Sequence, residues 1–218
     1  MASNLGKCDT VYHSALVPEP SLQSIPIKSY SVLPTPTWGR TSSFTIQISD
    51  GLSTETSPTN PPFYTITIQR EALGFGNSQI NIYNPADKTI LAACRLKGWA
   101  NQKYIHLGNP DCTALADWTR VRPSAKFDPS KFTFVVNGEE YCWTRTHRTE
   151  YGANKWTGKS FKLVRVRAGA VMAVFVHVGK WKRRDEARVD WFEEVTWEVE
   201  VLGLAAVLGI GEEIRRSE

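Results

Sequence analysis

Between Arg145 and Arg188 the chain gathers its densest positive charge, and it does so among aromatic residues. In "GKWKRRDE" (179–186), Lys180, Lys182, Arg183 and Arg184 surround Trp181. Cations placed this way attract anionic surfaces, each contributing about 1 kcal/mol close to an acidic membrane. Arg165 and Arg167 lie two residues apart, as do Arg145 and His147. A regular strand would put each pair on one face, where guanidinium forks can hold a phosphoinositide headgroup through bidentate hydrogen bonds. The candidate lipid-binding set is therefore Arg145, Arg165, Arg167, Lys180, Trp181, Lys182, Arg183 and Arg184. The competing interpretation is a solvated loop balanced by Asp185, Glu186 and the acidic end of the chain. Nucleic acid is not the expected partner, because no zinc-finger, RRM-type or helix-turn-helix signature accompanies the charge.

Other chemistry finds little support. "GFGNS" (74–78) holds two glycines of a GxGxxG pattern, lacks the third and leads into no helix, so it reads as a turn. His106 with Cys112, or Cys142 with His147, could be written as metal ligands or as a thiol–imidazole pair. Their spacings match no site type, and no carboxylate stands by to orient the imidazole. Glu139 and Glu140 flank a turn rather than face each other across a cleft as glycosidase carboxylates do. No G-x-S-x-G, H-E-x-x-H or P-loop occurs. A non-enzymatic protein is expected, with no catalytic residue, no metal and no cofactor.

The net charge of +4 conceals an asymmetry. Residues 141–188 hold twelve basic and three acidic groups, whereas residues 189–218 hold two basic and eight acidic ones. Such neighbouring blocks can pair internally or bind anions outside. A 41% apolar and 22% charged composition excludes a disordered chain. The start has no secretory pattern, and the four cysteines have no framework spacing, so free thiols in a cytoplasmic setting are expected. Membrane-peripheral and nuclear locations remain alternatives.

Positioning these groups falls to strands. Residues 1–37 carry five of the twelve prolines and read as a flexible Pro/Ser/Thr-rich segment. Residues 38–218 read as one domain. "FTIQI" (44–48), "FYTITIQ" (63–69) and "QINIY" (79–83) alternate apolar and polar residues, and "KTILAACRL" (88–96), "KYIHL" (103–107) and "ALADWTRV" (114–121) follow. In "KFTFVVNGEEYCWTR", Phe132, Phe134 and Val136 alternate up to Asn137-Gly138, a dipeptide suited to a tight hairpin. "KSFKLVRV" (159–166) and "VMAVFVHV" (171–178) form another hairpin. So many strands imply a barrel or a sandwich.

The chain then changes period. Val201 to Ile210 is uncharged over ten residues, too short for the roughly 20 that span a bilayer. At 100° per residue it is apolar all round, so as a helix it must be buried on every face. Thr196 can cap it, Glu198 and Glu200 suit its first turn, and Arg215 and Arg216 suit its last. Gly203, Gly209 and Gly211 cost up to about 1 kcal/mol each in a helix, a penalty that close packing would offset. The expectation is a central helix over 196–216 threading a closed antiparallel barrel of about twelve strands.

This order of elements resembles the tubby C-terminal-like superfamily, which includes tubby-like domains, LURP-one-related proteins and phospholipid scramblases. "GEEYCWTR", the strands "KSFKLVRV" and "VMAVFVHV", "GKWKRRDEARVDW" (179–191) and the terminal helix look like uncharacterised fungal members. The resemblance covers about residues 40–218 and implies a twelve-stranded barrel around a hydrophobic C-terminal helix. Through the tubby domains it also implies a module that binds anionic lipid. No ligand-binding motif of the family can be matched, so no residue role follows from it. A protein-interaction scaffold without a lipid ligand is the alternative. Scramblase-like activity is a third, against which the charged flanks of the terminal run count.

Overall fold

The computed structural model describes residues 25–35, 41–48, 63–70, 77–97, 102–125, 128–153, 159–177 and 187–217. Its elements are all β apart from three single 3-10 turns and one C-terminal helix. The strands are β1 (Lys28–Thr35), β2 (Thr41–Ile48), β3 (Tyr64–Arg70), β4 (Ser78–Tyr83), β5 (Ile90–Lys97) and β6 (Gln102–Leu107). They continue as β7 (Thr119–Ala125), β8 (Asp128–Val136), β9 (Glu139–Arg145), β10 (Phe161–Arg165), β11 (Ala170–His177) and β12 (Ala187–Trp191), and helix α1 spans Trp197–Ser217. Consecutive strands pair antiparallel throughout, and β1 also pairs with β12, from Lys28↔Trp191 to Val32↔Ala187.

Period-2 patterning explains most of these strands. Phe132, Phe134, Val136, Tyr141 and Trp143 all enter one core with inward residues of the other strands. The turn between β8 and β9 is the expected one: Asn137 (φ 50°) and Gly138 (φ 80°) supply the two positive dihedrals that a two-residue hairpin requires.

Two strands depart from the sequence expectation. The segment 1–37 is not a flexible lead-in throughout, because its residues 28–35 form β1. Tyr30 and Val32 are buried there on alternate positions. Among the described residues the ladder to β12 runs as far as Val32, and Pro34 has a register partner, Phe44, on β2. The other residues of that segment from 1 to 24 lie outside the described ones. β12 was hidden in a charged run: Ala187, Val189 and Trp191 point inward while Arg188 alternates between them. The 114–121 segment divides into a 3-10 turn (Leu115–Asp117) followed by β7.

The helix lies where an all-apolar helix must. Of Val201 to Ile210 only Leu208 is half-buried, and the rest are buried. α1 packs most heavily on β4, β5 and β6. Its approach to β5 is close enough that a Cβ on Gly209 would lie 2.6 Å from Cys94 Sγ. Cys94 is fully buried, and burial pushes its thiol up to about 12. Opposite, the buried Trp143 indole on β9 donates to the Gly203 carbonyl at 3.0 Å. Burying Val201, Leu202, Leu204, Val207 and Ile210 contributes about 1.5–3 kcal/mol each, as an upper bound.

Candidate functional site

Each end of α1 carries one buried carboxylate, and the two are satisfied differently. Near the N-terminus, Glu200 accepts hydrogen bonds from Tyr30 Oη (2.5 Å) and Tyr64 Oη (3.0 Å) on Oε1, and from Lys28 Nζ (2.9 Å) on Oε2. Phe63 stacks on Tyr30 with centroids 5.4 Å apart, and Lys28 Nζ lies 4.8 Å from both rings. Burial and the adjoining carboxylate raise both phenols well above the ordinary tyrosine value. The macrodipole also favours an anion at this end.

At the C-terminus the dipole opposes an anion, and Glu212 is buried there nonetheless. Two guanidinium forks compensate. Arg70 donates from Nε (2.8 Å) and Nη2 (2.9 Å), and Arg215 from Nε (2.8 Å) and Nη2 (2.7 Å), so each bridges both carboxylate oxygens. Burial alone would raise this carboxyl, but the bonds from Arg215 and Arg70 outweigh it and hold it at about 2. Beside it Arg216 also bonds Ser78, and the buried Lys103 of β6 pairs with Glu213.

Between this cluster and the sheet an apolar cavity of about 130 Å³ remains. Val32, Ile68, Phe161 and Phe175 wall it from four strands, and Val207 and Leu208 wall it from the helix. Gly211 forms part of the same lining. Among the described residues its charged lining is Arg70, Lys159, Arg215 and Glu212, the last bonded to both arginines. His177 and Ala187, register partners at the ends of β11 and β12, and Ile214 of the helix also line it.

The predicted lipid-binding residues are not brought together as one set. Arg145 ends β9 as the register partner of Phe161, with its guanidinium 6.0 Å from that ring, so it belongs to the cavity end. Its Nε is buried with no hydrogen-bond partner among the described residues. Arg165 pairs in register with Tyr141, four residues further along the same ladder, roughly 13 Å away. Its Nε lies 3.5 Å from Glu139. The expectation that Arg165 and Arg167 share a strand face fails, because β10 ends at Arg165 and Arg167 is exposed in the following turn. His147 likewise falls beyond the end of β9 and does not share a strand with Arg145. Lys180, Trp181, Lys182, Arg183 and Arg184 lie outside the described residues. In sequence they stand between His177 and Ala187, the two residues that line the cavity.

Sequence reasoning missed Arg70, Lys159 and Arg215 as a group. Their shared location depends on β3, the lead-in to β10 and α1 meeting at one end of the sheet. The doubtful thiol–imidazole candidates have other roles. His106 stacks on Trp118 at 5.1 Å, and Cys142 is buried on β9 with its thiol raised by burial. Among the described residues no cluster of His, Cys, Asp or Glu is placed to hold a metal ion. No helix among them is long and apolar enough to cross a membrane. Comparison with protein-family models, with curated proteins and with solved structures finds no match to this chain.

Proposed function

We propose that this chain is a non-enzymatic, intracellular module of the tubby-like kind that binds anionic lipid headgroups at the C-terminal end of α1. Within that reading the sheet is a closed barrel, supported by the pairing of β1 with both β2 and β12. One observation carries the functional part. His177 and Ala187, which stand on either side of the basic run 180–184 in sequence, line a cavity whose charged groups among the described residues are Arg70, Lys159, Arg215 and Glu212. A local excess of positive charge concentrates anions and speeds their capture. Arg145 adds a fourth cation on the same side, through Phe161.

Liposome co-sedimentation tests this, with neutral against phosphoinositide-containing vesicles at low and high salt. The wild type binds the acidic vesicles at low salt and loses them at high salt. Joint reversal of Lys180, Lys182, Arg183 and Arg184 abolishes binding, whereas Arg165→Glu at the other end leaves it intact. Absence of wild-type binding in every condition overturns the reading. A protein-interaction scaffold then becomes the better account. It draws support from the internal pairing of Arg188 with Asp190 (2.7 Å) and of Arg165 with Glu139, which balances part of the basic stretch.

A further inference from the structure

The outward faces of β7 to β10 carry cations that the fold itself does not use. Val121, Phe132, Trp143 and Phe161 enter the core, so Arg120, Arg122, Lys131 and Lys162 alternate to the outside. Arg120, Arg122 and Lys131 are exposed, and among the described residues none of the three has a side-chain hydrogen bond or ion pair. Lys131 and Lys162 stand in register with the same residue, Thr144. Burial lowers the Lys162 ammonium, and Arg148 and Lys131 lower it further, as cations beside a cation must. The acids whose side chains are described on these strands are Glu139 and Glu140, at the β8–β9 turn, and Glu139 already holds Tyr141 and Arg165. In sequence, the stretches 125–129 and 154–158 of the connecting links add two lysines and one aspartate, which do not reverse the sign.

We propose that this face binds single-stranded nucleic acid by its phosphates. Length argues first. Arg120 and Arg122 are about 7 Å apart along β7, and the stripe from Arg120 to Lys162, three strands away, runs about 20 Å. No single lipid headgroup reaches both ends, whereas about four consecutive nucleotides do. The floor argues next. Thr133, Cys142 and Thr144 stand between the cations in the ladders, so no bulky side chain lifts a backbone away, and the hydroxyls can donate to phosphate oxygens. The cations project from successive strands of a twisted sheet and share no plane, which suits a flexible strand and not a bilayer. Tyr104 favours bases over an acidic peptide. β6 sets it in register with Arg120, and its half-buried ring gives a base a face to stack on. The absence of a sequence motif does not bear on a surface that register assembles. Phosphates and one base face are all it meets, so ribose and deoxyribose strands bind alike.

Fluorescence anisotropy of the full chain with labelled oligouridylate and oligothymidylate of about 20 nucleotides tests the proposal. Both bind at low salt, and log affinity falls against log salt with a slope of about −3, as four neutralised phosphates of a single strand require. Arg122→Ala and Lys131→Ala keep the unfolding temperature, weaken binding several-fold and make the slope shallower by about 0.7 each. Tyr104→Leu weakens oligouridylate about fivefold or more and leaves inorganic polyphosphate, which has no bases, unaffected. A wild type that binds neither oligonucleotide overturns the proposal, as do folded alanine variants that bind like wild type. Polyglutamate that displaces the label as well as unlabelled oligouridylate does overturns it in favour of an acidic peptide. If an alanine variant does not fold, ultraviolet cross-linking of oligouridylate to the wild type decides. Attachment in the peptide that holds Tyr104 supports the face, and attachment only elsewhere overturns it. The surface is separable from membrane reading. Joint reversal of Lys180, Lys182, Arg183 and Arg184 should spare oligonucleotide binding, and a loss there with none in the alanine variants overturns this proposal while leaving the headgroup reading in place.

Discussion

The two ends of α1 solve one problem in opposite ways. Both bury a glutamate. Glu200 is sealed by neutral phenols and one lysine under a stacked aromatic pair, at the end where the helix dipole helps. Glu212 sits where the dipole hinders, and it needs two bidentate arginines. At the aromatic end Tyr30, Phe63 and Tyr64 pack on one another. Guanidinium closure leaves a rim of cations over an apolar hollow. The difference teaches that a carboxylate buried against the helix dipole needs full charges as donors, where one buried with the dipole is served by two phenols and a single lysine.

The largest expected effect breaks both ends together. Leu204, buried midway along α1, becomes an unpaired buried charge in Leu204→Glu, and the chain then fails to fold. A soluble variant with native-like thermal unfolding would contradict the buried-helix architecture. Next comes the guanidinium end. Glu212→Gln removes the buried negative charge that Arg70 and Arg215 bond and costs about 3 kcal/mol at pH 7, read by chemical denaturation. The sign of its pH dependence follows from a folded value of about 2 against an ordinary value near 4.5. The stabilisation is complete above the unfolded value and is lost as pH falls from about 4.5 to about 2. Stability in the wild type should therefore decline across that acid window, and the Gln variant should lack this component.

The aromatic end should respond at the other extreme of pH. Tyr30 and Tyr64 have raised folded values, so their contribution is complete below the ordinary tyrosine pKa, about 10, and is lost as pH rises through and beyond it. Tyr30→Phe removes a charge-assisted hydrogen bond worth about 1.5–3 kcal/mol and flattens the alkaline limb while sparing the acid one. Tyrosinate absorbance read against pH in both proteins checks this. An alkaline limb unchanged in the variant would remove Glu200 as its cause. The smallest effect lies between the ends: Gly209→Ala should destabilise by about 1 kcal/mol. Overpacking against Cys94 costs about 1–3 kcal/mol, and about 1 is recovered in helix propensity.

Local pattern made much of the fold legible. The β8–β9 hairpin announces itself through Phe132, Phe134, Val136 and Asn137-Gly138, and α1 through a run with no polar side. β1 was obscured because Pro34 dominated its neighbourhood while Tyr30 and Val32 carried the strand signal. β12 was obscured because Arg188 and Asp190 hid the alternation of Ala187, Val189 and Trp191. The site was less legible, for a physical reason. Val32, Ile68, Phe161 and Phe175 are ordinary core residues in sequence, and only the long-range ladders bring them around one space. Arg70 and Glu212 are far apart in the chain, so nothing local marks them as partners. The glycine at 209 was visible as a cost, yet its reason, the close approach to Cys94, could be found only in three dimensions.

The pairing of β1 with β12 has a consequence for how the molecule is made. Chains emerge from the ribosome N-terminus first. β1 can pair with β2 early, but its second edge must wait for a partner encoded at Ala187–Trp191, and the core must wait longer still, for α1. Until then a nascent chain exposes raw strand edges around an unfilled interior, the state most open to edge-to-edge association. A chain cut before α1 would leave the inward faces of the strands without the helix that covers them, so it is expected not to fold, and its solubility beside the full chain checks this.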